Sequence, residues 1–136
     1  MPSADINYLA VVVAALLSMV IGFVWYSLKV FGKPWMKETG LTMKDIGNGP
    51  GADKYVLVTV SSLVQAYVLA HFVDYTSATT WVEGAVTGFW LWAGFVATAY
   101  TATYVFTKKS VRLWTIDTGY FLALLLVQGA LLAAWV

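Results

Sequence analysis

LWTIDTGYFLALLLVQGALLAAWV, residues 113–136, is long and apolar enough to cross a bilayer, yet carries an aspartate, Asp117, near its front. A spanning helix needs about 20 mostly apolar residues. In lipid, every backbone N–H and C=O must be satisfied within the segment, which selects the α-helix for such a run. Three more stretches meet the same length requirement: 8–28, 55–73 and 85–106. The predicted fold is therefore an all-α membrane protein. It has four transmembrane helices in one compact bundle, a single domain over 1–136.

Composition agrees. The 136 residues are 60% hydrophobic and 11% charged, with mean hydropathy +0.75, against about 25% charged in soluble domains. The net charge of +1 implies no attraction to nucleic acid. With no cysteine, disulfides, zinc–thiolate sites, iron–sulfur clusters and cysteine nucleophiles are excluded. The first apolar run is preceded by Pro2, Ser3, Ala4 and Asp5, without a basic residue, and is not expected to be a cleaved signal peptide.

Charge placement predicts the topology. Lys29, Lys33, Lys37, Lys44 and Lys54 lie in the first connection, which also holds the breaker cluster Gly47–Gly51. Lys108, Lys109 and Arg112 lie in the third. These are all eight Lys and Arg residues, while the other face holds Asp5, Asp74 and Glu83. By the positive-inside rule, connections one and three face the cytoplasm and both termini face out, in a multi-pass protein of the inner membrane. Trp25, Trp35, Tyr55, Tyr104 and Trp114 fall at the inner boundary, and Tyr8, Tyr75, Trp81 and Trp135 at the outer one, as an interfacial belt.

Sliding the chain along itself by 79 residues superposes KVFGKPWMKETG (29–40) on KKSVRLWTIDTG (108–119). Lys29 then meets Lys108, Lys33 meets Arg112, Trp35 meets Trp114 and Glu38 meets Asp117. Such a parallel repeat would relate two helical hairpins by an axis along the membrane normal. The elements GFVWYSLKVFGKPWMKETGLT, GFVATAY and LWTIDTGY together resemble a family of small bacterial membrane proteins, domain of unknown function 1761, over most of the chain. The resemblance implies a four-helix integral membrane protein and implies no activity.

Asp117 is the foremost candidate for chemistry. With helix four starting near Leu113, it lies about 6 Å inside the helix. A deeper aspartate costs about 2.5–3.5 kcal/mol and faces the bundle interior or water. Gln128, eleven residues on, falls within about 20° of it around an ideal helix, with Tyr120 on the adjoining face. This makes a sparse polar stripe suited to a ligand or ion. The structural alternative caps the helix with Thr115, making Asp117 a first-turn acid favoured by the helix dipole. Lys29, Lys33, Lys108 and Arg112 are then its available ion-pair partners. Glu38, its repeat mate, is expected in a solvated loop, or else framing one cytoplasmic site with Asp117.

His71 and Asp74 share a helical face with Tyr67 and form a pH-sensitive candidate on the outer side. Thr80 and Glu83 have capping-box spacing. Ala14, Ser18 and Gly22 on helix one, and Gly84, Gly88 and Gly94 on helix three, are small residues that let helices approach closely, within the chain or in a homo-oligomer. No nucleotide-binding, metalloprotease or hydrolase motif occurs, and no metal or cofactor is implied. The leading expectation is a non-enzymatic membrane subunit that binds the bilayer and associates with itself or with a membrane-protein partner. The alternative is a small ion- or solute-binding or translocating unit built on Asp117. A membrane enzyme acting on lipid or quinone comes last, for want of a nucleophile–base pair.

Overall fold

The computed structural model describes residues 3–135, and every regular element among them is helical. In chain order they are α1 (Tyr8–Trp25), α2 (Gly32–Thr39), α3 (Met43–Ile46), α4 (Ala52–Tyr75), α5 (Trp81–Leu91), a π-helical segment (Trp92–Ala97), α6 (Thr98–Phe106) and α7 (Val111–Ala134). Three of these, α1, α4 and α7, are long and apolar enough to cross a membrane. That is compatible with a membrane protein. The fourth expected span, 85–106, is helical from end to end, but its ladder is divided by the π segment.

Local chemistry sets the boundaries. Asn7 caps α1 by accepting from the Ala10 N–H. Capping boxes start α3 (Thr42 with Asp45) and α5 (Thr80 with Glu83). The first connection is not a simple loop, because α2 and α3 lie within it. Gly40 ends α2 at φ 75°, and Gly47, Gly49 and Gly51 take positive φ where the chain turns back into α4. Ser110, rather than Thr115, caps α7: its Oγ accepts from the Leu113 N–H at 3.1 Å. The helix therefore starts about half a turn earlier than the apolar run suggested.

α7 lies at the centre, packed against α1, α4 and α5. The core beside it is built from small residues: Ala10, Ala14, Ala66, Ala70 and Ala133 are buried between the helices. The closest approach is between α5 and α7. A Cβ on Gly84 or Gly88 would collide with the carbonyl of Gly129 or Leu125, and one on Gly129 with the carbonyl of Gly84. Small-residue contacts of this kind drive helix association where lipid removes the hydrophobic force. Large side chains such as Phe23 (84% exposed) and Phe106 (87%) point outward.

The π segment has a packing purpose. Gly84, Gly88, Trp92, Val96, Tyr100 and Tyr104 recur every fourth residue. At 3.6 residues per turn each step would rotate the contact face by about 40°. The wider turns of a π stretch, bonded i to i+5, absorb part of that drift. Gly88 against Leu125 and Tyr104 against Asp117 thus both face α7.

Candidate functional site

Asp117 lies in the second turn of α7, half-buried, at the end of the molecule that carries the Lys and Arg side chains. With the cap at Ser110 it is not a first-turn acid. Its Oδ1 accepts from the Tyr26 hydroxyl at 2.7 Å, and its Oδ2 from the Tyr104 hydroxyl at 2.5 Å. Tyr26 is the residue that ends α1, and Tyr104 sits in the last turns of α6. One carboxylate therefore ties three elements together. Charge-assisted O–H···O⁻ bonds of this length are the strong class of hydrogen bond.

The two donors are the ends of a continuous row of rings. Tyr26 packs on Tyr120 (centroids 5.6 Å), Tyr120 on Phe121 (4.9 Å), Phe121 on Tyr100 (5.8 Å) and Tyr100 on Tyr104 (5.4 Å). Trp35 from α2 closes edge-on against Tyr26, and the Lys109 ammonium lies 4.9 Å from the centre of the Tyr104 ring. Two tryptophans fix α7 nearby: Trp25 Nε1 donates to the Ile116 carbonyl at 2.9 Å and Trp92 Nε1 to the Thr118 carbonyl at 2.7 Å.

Among the described residues no cation pairs with Asp117. The ion pairs among the described residues are Lys54–Asp53 and Arg112–Glu38. Lys29, Lys33, Lys108 and Arg112, expected as partners, leave the aspartate to the tyrosines. Glu38 is also displaced from its expected place. It lies on α2, not in a solvated loop, and accepts from Ser110 Oγ at 2.6 Å, with Arg112 Nη1 at 3.9 Å. The two carboxylates related by the 79-residue offset therefore have separate partners and frame no common site. The offset does survive in one respect, since α2 begins at Gly32 and α7 at Val111.

The rest of the polar stripe runs inward from Asp117. Tyr120 donates its hydroxyl to the Ser18 carbonyl at 2.8 Å, and Ser18 Oγ is hydrogen-bonded to Ser62 Oγ of α4 at 2.8 Å. Gln128 is wholly buried, and its Nε2 donates to the Ala14 carbonyl at 2.7 Å. Its Oε1 meets no donor among the described residues. Ala14, Ser18 and Gly22 thus face α7 or α4, with the Tyr120 ring over Gly22. Gly84 and Gly88 face α7 as well, while Gly94 faces open space. Five of these six small residues are accordingly engaged within the chain.

At the other end, His71 turns back on its own helix. Its Nδ1 lies 2.9 Å from the Tyr67 carbonyl, and the ring sits edge-on between Tyr67 and Tyr75. No ion pair joins it to Asp74 among the described residues. Asp74 instead lines a mixed recess of about 350 Å³, with Asp5, Asn7, Ser77 and Thr79 beside Val73, Leu132 and Trp135. No group of three His, Asp or Glu side chains converges as a metal would need, again among the described residues.

Sequence reasoning missed the two tyrosines that hold Asp117. Tyr104 read as part of the interfacial belt, and Tyr26 only as part of a family pattern. Their shared depth with Asp117, each at the same end of a long helical stretch, was the available signal. No curated protein and no solved structure matches this chain. Residues 9–133 match the family described as protein of unknown function DUF1761, and the chain belongs to that family.

Proposed function

We propose that this is a single-domain, four-span protein of the bacterial inner membrane that takes up and releases a proton or small monovalent cation at Asp117. In this reading residues 85–106 complete the set of spans, the two basic connections face the cytoplasm, and both termini face out. Support comes from the three long apolar helices, the unbroken helical course of 81–106, and the collection of all eight bases at one end. No enzymatic step is assigned.

One observation carries the functional part: among the described residues, Asp117 is held by two phenols and by no cation. A carboxylate within an apolar helix is costly unless its charge is neutralised. Eight bases share its end of the chain, and a permanent ion pair would be the simplest solution. A charge left without one can be neutralised reversibly from outside, and this is the chemistry of an exchangeable proton or cation site. The competing proposal is a packing subunit, alone or in a homo-oligomer, with Asp117 as a tether between helices. Its support is that both carboxylate oxygens are occupied, and that Gly94 leaves a smooth place on the outer surface.

Proteoliposomes loaded with a pH-sensitive dye, and in parallel with a dye that responds to sodium or potassium, test the proposal. Wild-type protein is expected to carry a proton or alkali-cation flux that Asp117→Asn abolishes. A flux that survives the substitution, or none in the wild type, would sink it. Because the chain has no cysteine, single replacements report topology cleanly. Ser77→Cys should react with an impermeant maleimide added to intact cells, and Lys44→Cys should not.

A further inference from the structure

A groove of about 360 Å³ opens at the basic end between the α1–α2 turn and the start of α7. Val30, Phe31 and Pro34 form one wall, Thr115 and Ile116 the other, and Arg112 is the charged residue among them. The walls are fixed in advance. Phe31 packs at a tilt on Trp25, with ring centroids 4.6 Å apart, and Trp25 donates to the Ile116 carbonyl. The turn itself closes through Phe31 N–H to the Trp25 carbonyl and Gly32 N–H to the Ser27 carbonyl, where a Cβ on Gly32 would meet backbone atoms.

Arg112 has donors to spare. Its one ionic neighbour among the described residues, Glu38, stands at 3.9 Å, beyond hydrogen-bond range, and accepts instead from Ser110. The side chain is 58% exposed. A guanidinium offers five N–H donors in a fork that fits phosphate oxygens, and here it adjoins apolar walls. Lys29 and Lys33, the sequence neighbours of Val30 and Pro34, are both exposed. Apolar walls with a fixed cation beside them, at an end rich in positive charge, match a ligand with an apolar chain and an anionic head.

We propose that this groove binds an anionic phospholipid, with the phosphodiester on Arg112 and the first part of one acyl chain against Val30, Phe31, Pro34 and Ile116. The proposal rests on the membrane reading given above. It is independent of orientation and of any role for Asp117.

The test is thermal unfolding of purified protein in mixed micelles doped with dioleoylphosphatidylglycerol or dioleoylphosphatidylcholine. The anionic lipid is expected to raise the Tm by about 4 °C or more above the zwitterionic one. Arg112→Gln should remove that increment. Thr115→Trp, which fills the groove and leaves the charge, should remove it too. Lys109→Gln, a base placed over Tyr104, should keep it, and so should Asp117→Asn, which separates this site from the cation site. Inorganic phosphate at equal concentration should give no shift. Equal Tm values in the two lipids would overturn the proposal, as would an increment that survives Arg112→Gln or Thr115→Trp. Loss of the increment in Lys109→Gln would mean diffuse surface charge, and an equal shift with free phosphate would mean a simple anion site. Either would overturn it.

Discussion

Gly84 on α5 and Gly129 on α7 meet backbone to backbone: a Cβ built on either would run into the carbonyl oxygen of the other. The same contact continues one turn on, at Gly88 against Leu125. Because α7 also carries Asp117, the depth and rotation of the aspartate relative to α5 and α6 are set here, far along the helix from the site itself.

Gly84→Ala and Gly129→Ala should each destabilise the fold by about 1–3 kcal/mol, since the colliding atoms are backbone and cannot swing aside. Gly94→Ala, where nothing lies within contact distance, should be neutral or slightly stabilising through helix propensity. Unfolding titrations in mixed micelles would compare the three. Equal losses at Gly84 and Gly94 would mean that the close approach does not matter.

The tyrosine–carboxylate bonds make a prediction about coupling. Tyr26→Phe and Tyr104→Phe should each cost about 1.5–3 kcal/mol, the range for hydrogen bonds to a charged acceptor. In an Asp117→Asn background, where the acceptor is neutral, each loss should shrink by at least half. A double-mutant cycle measures this directly. Additive effects would show that the hydroxyls contribute nothing through the carboxylate.

Gln128 predicts an unusual tolerance. Its Oε1 is buried without a donor among the described residues, while its Nε2 donates to the Ala14 carbonyl. Gln128→Met keeps the volume and removes both the bond and the orphaned oxygen. It should change stability by less than about 1 kcal/mol, given that interhelical polar contacts in membranes average about 0.6 kcal/mol. Gln128→Ala leaves a cavity and should cost about 2–5 kcal/mol by analogy with other large-to-alanine core changes. Comparable losses for both would assign real strength to the amide bond.

The start of α5 carries a pH dependence outside the apolar spans. Glu83 accepts from the backbone N–H groups of Thr79 and Thr80 at 2.9 and 3.0 Å, and these bonds hold its carboxyl below its ordinary value of 4.5. A group whose pKa is lowered by folding adds stability above its unfolded value and loses it as pH falls through the folded one. The contribution is thus whole at pH 7 and erodes below about 4.5. Glu83→Gln should flatten that part of the stability profile between pH 5 and 3, and an unchanged slope would rule the cap out as its source.

Hydropathy and charge made the coarse architecture legible. Lipid as a solvent demands long apolar helices, and the bases mark one end without exception. The short helices of the first connection were harder to see because neither reaches spanning length, although Thr42 and Asp45 have capping-box spacing. Ser110 caps α7, but the apolar run beginning at Leu113 drew the expected helix start inward. Asp117 could be singled out as a polar group in an apolar helix. Its partners could not, since Tyr26 and Tyr104 reach it only through helix rotation. In the stretch 81–106 that rotation depends on a hydrogen-bond pattern that propensity does not encode. The spacing of four from Gly84 to Tyr104 was its one trace.

That π segment gives the chain a place that tolerates a single-codon deletion. The wide turn holds one residue more than an α turn, so removing one residue between Trp92 and Ala97 would let the stretch close as plain α-helix with the faces before and after it still in register. Tyr100 and Tyr104 would stay against α7. The same deletion within Thr98–Phe106, ahead of Tyr104, has no wide turn to give up and would swing the tyrosine by about 100°, away from Asp117. Family members should therefore vary in length by one residue inside the π segment and not between it and the tyrosine.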